Sequence, residues 1–231
     1  MMLRMGLLTR RPEVPPEQFA RHWRDRHGPL AARLPGLRRY TQNLVTDRSQ
    51  LAIDHARGDW AIDGVSQLWF DDAAAMQAAV DSPEFAPIPE DNDRFATLRG
   101  VLLAMPNPVV PVQEPTQDGP LIKRMSLLRR RPDLDAARFR EEWFGFHAEA
   151  VRKFPRIAGY TQNLVVQRGG DPRHPLPYEA LPVDGVVEMW FHSREDLEAA
   201  FASPAAVVSQ RHALDFIAEI TTFLVEPHRV L

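Results

Sequence analysis

Cysteine is absent from the 231 residues. That excludes disulfides, thiolate metal sites and thiol nucleophiles. No apolar run approaches the roughly 20 residues a membrane-spanning helix needs, and residues 1–11 lack the apolar core of a secretory signal. The expected location is therefore the cytoplasm. A basic excess is also missing. The formal net charge is -3, which leaves no electrostatic footprint for nucleic acid. The chain holds no glycine-rich phosphate loop and no defensible Ser-His-Asp order, so nucleotide cofactors and acyl-enzyme chemistry are disfavoured. No histidines have zinc spacing: His22 and His27 do not share a helix face. The sequence predicts no metal site and no cofactor.

Proline, by contrast, is abundant, at 21 residues. Pro108, Pro111, Pro115 and Pro120 crowd one stretch. Proline lacks the N–H that a helix interior or central strand requires, so residues 109–120 are expected to form a linker. A second irregular stretch contains Pro172, Pro175, Pro177 and Pro182.

The two sides of that linker repeat each other. Arg10-Arg11-Pro12 returns as Arg130-Arg131-Pro132. Phe19, Trp23 and His27 return as Phe139, Trp143 and His147. Tyr40 to Val45 returns unchanged as Tyr160 to Val165, and Asp63-Gly64-Val65 as Asp184-Gly185-Val186. Such colinearity implies two copies of one unit, residues 1–108 and 121–231.

Each copy reads as strand, helix, strand, strand, helix, strand. The last strands are placed near 98–105 and 220–226. Gly28-Pro29 is expected to kink the first long helix. The second copy has Ala148-Glu149 there, so its helix is expected to run straight over 135–153, with Asp135 as N-cap. The order is that of a ferredoxin-like α+β unit. Its sheet carries helices on one face only, and the bare face must be covered. Two such sheets closing on each other within one chain satisfy both copies.

These residues resemble the EthD domain family. The resemblance is carried by Arg10-Arg11-Pro12, Phe19, Trp23, His27-Gly28-Pro29-Leu30, Leu34 to Asn43, and Asp63-Gly64-Val65 with Trp69-Phe70. It implies a dimeric α+β barrel, here built within one chain. It also implies a range of activities: members linked to ether degradation, cofactor-free dehydratases and related pathway enzymes. Fold relatives include cyclases, monooxygenases and haem-handling enzymes.

Strand alternation nominates the site. Val187, Met189 and Phe191 suit the helix-covered face, which turns Glu188 and Trp190 into the barrel. The same logic turns Gln67 and Trp69 inward. Leu3, Met5 and Leu7 read as helix-facing, which sends Arg4 inward or to a rim, and Arg124 with it. Glu188 occupies the Glu position of a pattern resembling the family's Asp-Gly-Val-x-Glu-x-Trp-Phe. Beside Trp190 its pKa is expected to rise by desolvation, as general acid–base work requires. Against that stands a buried ion pair with Arg4 or Arg124. His27 and His147 are alternative proton carriers, although their helical stripe with Phe and Trp also suits core packing. Tyr40, Asn43, Tyr160 and Asn163 could orient a ligand, if their face of the strand lines the barrel.

The leading expectation is a cofactor-free dehydratase, lyase or isomerase acting on a small apolar or aromatic metabolite. The Gln67/Glu188 difference predicts one competent pocket and one degenerate pocket. The alternatives are a non-catalytic accessory protein that binds such a metabolite, and haem or oxygen chemistry. A homodimer of such pseudo-dimers is a further expectation.

Overall fold

A computed structural model describes residues 1–117, 119–171 and 173–231. Asp118 of the expected linker and Pro172 of the second irregular stretch lie outside the described residues. The first copy runs β1 (Met2–Arg10), α1 (Pro16–His22), α2 (Gly28–Ala31), β2 (Arg39–Asp47), β3 (Gly64–Phe70), α3 (Ala73–Val80), α4 (Pro87–Phe95) and β4 (Ala96–Val110). The second runs β5 (Ile122–Arg130), α5 (Ala136–Glu142), α6 (Ala148–Arg152), β6 (Gly159–Arg168), β7 (Gly185–Phe191), α7 (Arg194–Phe201), α8 (Pro204–Phe216) and β8 (Ile217–Arg229).

The eight strands close into one barrel in the order β1-β3-β2-β8-β5-β7-β6-β4. The duplicated α+β unit and its intrachain barrel are thus present. Closure depends on β4 and β8, which outgrow their own sheets. Each pairs β1 or β5 on one side and reaches the other copy's β6 or β2 on the other. Both are longer than the sequence suggests, and β4 takes in Pro106 and Pro108. There β1 has already ended, at Leu3 opposite Ala104, and only β6 remains as a neighbour. A strand with one free side tolerates proline.

All neighbours are antiparallel. β1 and β5, four places apart, therefore run the same way, and the pseudo-twofold axis relating the copies lies along the barrel axis. Residues related by the repeat can meet on that axis.

The barrel interior holds Leu3, Met5, Leu7, Val65, Leu102, Met125, Leu127, Val186 and Phe223, among others. One end is plugged by Ile62, Leu181 and Val183, which precede β3 and β7. The helices cover the outside of each sheet. This corrects the expected orientation of β1: Leu3, Met5 and Leu7 face the barrel, and Arg4 faces the helices. Both faces of this sheet are dry, so an apolar alternate set does not say which side it covers.

The long helices also differ from expectation. Both pass through a wide, π-type turn, at Trp23–His27 and Trp143–His147. Gly28-Pro29 continues the first helix, with helical angles at Gly28. The break falls instead in the second copy, at Gly145 (φ -85°, ψ -113°). A short second helix per copy was expected, but α4 and α8 follow it as well. Their proline-bearing first turns, Pro87 and Pro204, are suited to helix starts.

Trp23 and Trp143 lock each helix to its sheet over a glycine. A Cβ on Gly64 would approach Trp23 to 2.5 Å, and one on Gly185 would approach Trp143 to 2.4 Å. Gly185→Ala is expected to lower stability by about 1–3 kcal/mol through overpacking. Urea denaturation measures it, and a change below 0.5 kcal/mol would show that the indole yields.

Candidate functional site

The open end of the barrel is a cleft of about 690 Å³. That volume falls within the roughly 300–1,000 Å³ range of small-molecule sites. Its walls come from the starts of β2, β5 and β6 and the ends of β3, β7, β4 and β8. They include Arg39, Trp69, Pro108, Lys123, Trp190 and Arg229. Gln67, Asn163 and Glu188 complete it from below. Alternation along β3 and β7 delivers Gln67, Trp69, Glu188 and Trp190 here as expected.

Gln67 and Glu188 are repeat counterparts, and they touch. Gln67 Nε2 donates to Glu188 Oε1 at 2.7 Å. The expectation of one competent and one degenerate pocket is therefore corrected: on the pseudo-axis both positions build a single site. Lys123 Nζ lies 2.5 Å from Glu188 Oε2. It also donates to Asn43 Oδ1 at 2.9 Å and Gln67 Oε1 at 3.0 Å. Asn43 Nδ2 donates to Gln67 Oε1 at 3.0 Å and the Val65 carbonyl at 2.9 Å. Asn163 Nδ2 mirrors it, donating to Glu188 Oε1 at 2.8 Å and the Val186 carbonyl at 3.0 Å.

Lys123 is the residue the sequence reading missed. Its counterpart is Leu3, in the barrel's apolar core. A charge at a position apolar in the other copy was the available signal. The substitution has a second effect. Asn43 Oδ1 accepts from Lys123, but Leu3 offers Asn163 no donor. Asn163 Oδ1 is buried without a hydrogen-bond partner among the described residues.

Electrostatics follow from these contacts. Desolvation pushes the Glu188 pKa up, but the Lys123 charge and the hydrogen bonds from Lys123, Gln67 and Asn163 outweigh it, and the net direction is down. The expected rise is thus corrected. Its ion-pair partner is also neither Arg4 nor Arg124. Burial lowers the Lys123 pKa, partly offset by Glu188. Trp190 lies 5.2 Å from Lys123 Nζ, and the Arg39 guanidinium stacks 3.6 Å from the Trp69 ring centroid.

The other nominated residues lie across the sheet, under the helices. Tyr40 and Tyr160 pack in the helix-side cores, where each phenol oxygen accepts from Gln42 or Gln162. Arg4 lies near the Phe85 ring, and burial lowers its pKa. His27 Nδ1 lies 3.0 Å from Asp91 Oδ2, and its ring packs edge-on to Phe95. Burial lowers the His27 pKa, partly offset by Asp91. His147 and Arg124 share a small cavity beneath the second copy's helices. None of these six groups lines the mouth. Among the described residues no cluster of three or more His, Asp or Glu is set to hold a metal, and no helix is long and apolar enough to cross a membrane.

Comparison with known structures agrees with this architecture. An anthrone oxidase-like protein superposes with a TM-score of 0.65 at 10% identity, over 99% of this chain and 93% of that one. Chlorite dismutase from Candidatus Nitrospira defluvii superposes with a TM-score of 0.51 at 12% identity, over 97% and 90%. At such identities the likeness is one of fold. An ethyl tert-butyl ether d (ethd) family protein from Bacillus halodurans c-125 aligns at 23% identity over 46% of this chain and 98% of its own, with a TM-score of 0.38. No curated protein matches the sequence. The EthD domain is matched twice, over residues 11–99 and 131–220, one match per copy. The chain belongs to the EthD domain family, with both domains in one polypeptide.

Proposed function

We propose that the protein binds a small, largely apolar or aromatic metabolite carrying a hydroxyl group at the barrel mouth, and moves a proton on it through the Lys123–Glu188 pair. The observation that carries this reading is the unpartnered Asn163 Oδ1 in a cleft that also holds a buried acid–base pair. A buried acceptor without a donor costs about 1–3 kcal/mol, and a ligand O–H would satisfy it. The indoles of Trp69 and Trp190 offer apolar walls. Arg39 and Arg229 at the rim favour a ligand that carries or develops negative charge.

Dehydration closes without a cofactor. Glu188 takes a C–H proton, and the electron pair left behind forms the new double bond. The hydroxyl departs as water with a proton from Lys123. Glu188 then returns its proton to Lys123 across the pair. A lowered Lys123 pKa eases that donation. Isomerisation uses the same proton path without loss of water.

A non-catalytic accessory role is the second reading, favoured by the tight pairing of Glu188, which weakens it as a base. Native mass spectrometry of gently purified protein identifies the bound molecule, and Glu188→Gln then separates the readings. Ligand affinity within threefold of wild type with turnover reduced at least 100-fold is expected for the enzyme. Equal binding with no turnover in either protein leaves the accessory role. If neither a co-purified molecule nor any of a panel of phenols and hydroxyketones binds at the mouth, both readings fail.

A further inference from the structure

The cavity beneath the second copy's helices lies on the opposite face of the sheet from the barrel mouth, and its argument is independent of the function proposed there. Arg124, Ser126, His147, Phe154, Phe201 and Ile220 are among its lining residues. Its volume is about 40 Å³, against the ~10–15 Å³ that one water requires on the same measure. That is room for roughly three or four non-hydrogen atoms.

Arg124 is buried, and no carboxylate acts on it among the described residues. Its Nη2 donates to Thr222 Oγ1 at 2.9 Å, one Nη1 contact runs to the Met189 sulfur at 3.7 Å, and Phe201 lies 4.4 Å away. Nε has no partner. Burial lowers its pKa to about 9, which still leaves a positive charge at neutral pH. A buried charge without a counter-charge is strongly unfavourable.

Arg4, the counterpart of Arg124, likewise has a buried Nε and no carboxylate acting on it among the described residues, so the two copies differ in the histidines nearby. In the first copy Asp91 sits between two histidines, 3.0 Å from His22 Nε2 and 3.0 Å from His27 Nδ1. In the second copy the position of Asp91 is His212, which turns to Glu142 at 3.1 Å. His147, the counterpart of His27, has a buried Nδ1 with no partner among the described residues. Burial, with His212 and His55 close by, holds His147 well below its ordinary pKa and so neutral. The cavity is thus lined by the Arg124 guanidinium and the uncharged His147 imidazole, each with an unused nitrogen, and by His55, whose Nε2 lies 3.2 Å from the Ile217 carbonyl oxygen, in otherwise mostly apolar walls.

We infer that this cavity is a binding site for a small monocarboxylate of about acetate size, held by Arg124. The guanidinium fork matches a carboxylate in geometry and charge. The short alkyl end lies against Phe154, Phe201 and Ile220. A single cation calls for a monoanion, and the volume excludes aromatic acids.

Titration of the full-length protein with carbon-13 acetate, followed by NMR, tests this. Acetate is expected to bind the wild type, with Overhauser contacts from its methyl group to the Phe154 and Phe201 rings. Arg124→Met, which removes the charge at similar volume, is expected to weaken binding at least tenfold. It should fold as well as the wild type in acetate-free buffer, since it removes an uncompensated charge. Ala213→Val narrows the same cavity, leaves Arg124 in place and is expected to abolish binding, so a folding failure in one variant leaves the other as the test. Glu188→Gln, at the mouth, should bind acetate like the wild type. No acetate binding by the wild type, unchanged binding in a folded Arg124→Met or Ala213→Val protein, or binding of bromide but not acetate would each overturn the assignment.

Discussion

Lys123→Leu is expected to lower the stability of the protein by about 3–5 kcal/mol, the loss typical when one member of a buried ion pair is removed. Leucine is what the first copy carries at this position, as Leu3, so the shape is one the fold already accommodates. The cost arises because Glu188 is left buried and charged beside Gln67 and Asn163. Adding Glu188→Gln reproduces the first copy's Leu3/Gln67 combination on both sides of the axis, and most of the loss should return. A double-mutant cycle by urea denaturation measures the coupling. Additive losses, with no recovery in the double variant, would show that the pair contributes nothing to the fold. The wild type should also lose stability in acid. The folded-state pKa of Glu188 is depressed below the unfolded value. Its contribution is therefore complete above the unfolded value of about 4.3 and lost as pH falls through the folded value. Glu188→Gln should flatten that limb of the stability curve.

Cutting the chain between the copies is expected to leave them together, whereas neither copy should fold as a monomer. A proteolytic nick at 111–117 severs no barrel strand, because β4 has ended at Val110 and β5 begins at Ile122. The ladders β2–β8 and β4–β6 hold the halves side by side. A first copy on its own would turn Leu3, Met5, Leu7, Val45, Val65, Trp69 and Leu102 to water. At about 1.5–3 kcal/mol for each large side chain, that exposure is on the order of 10 kcal/mol, comparable with the whole stability of a typical domain. Size-exclusion chromatography of nicked protein should show one species at the intact mass. Fragment 1–110 alone should self-associate or remain unfolded, and a folded monomeric fragment would contradict the closed-barrel account.

The fold was legible because the duplication is written in identities such as Tyr40–Val45 and Tyr160–Val165, and because a one-sided sheet needs a cover. The mouth was half legible. On β7, Val187, Met189 and Phe191 separate cleanly from Glu188, which placed Glu188 and Trp190, and the repeat then placed Gln67 and Trp69. On β1 the same reasoning reversed, since Leu3, Met5 and Leu7 are apolar for the barrel's interior and Arg4 is buried on the far side under helices. Tyr40 and Asn43 belong to one unbroken repeat, yet they point to opposite faces. Lys123 is not visible in the matches of the repeat. It stands at a mismatch, where the first copy has Leu3.

The sequence by itself determined the two copies, their α+β order and their need to close on each other, since these follow from local periodicity and from apolar surface that must leave water. Only the tertiary structure decided that Gln67 and Glu188 meet on one axis, that Lys123 rather than an arginine neutralises the carboxylate, and that Arg124 and Asn163 keep unpaired polar atoms. Such facts depend on which side chains converge from strands far apart in the chain, and a linear pattern records a residue's face only where the two faces of its strand differ.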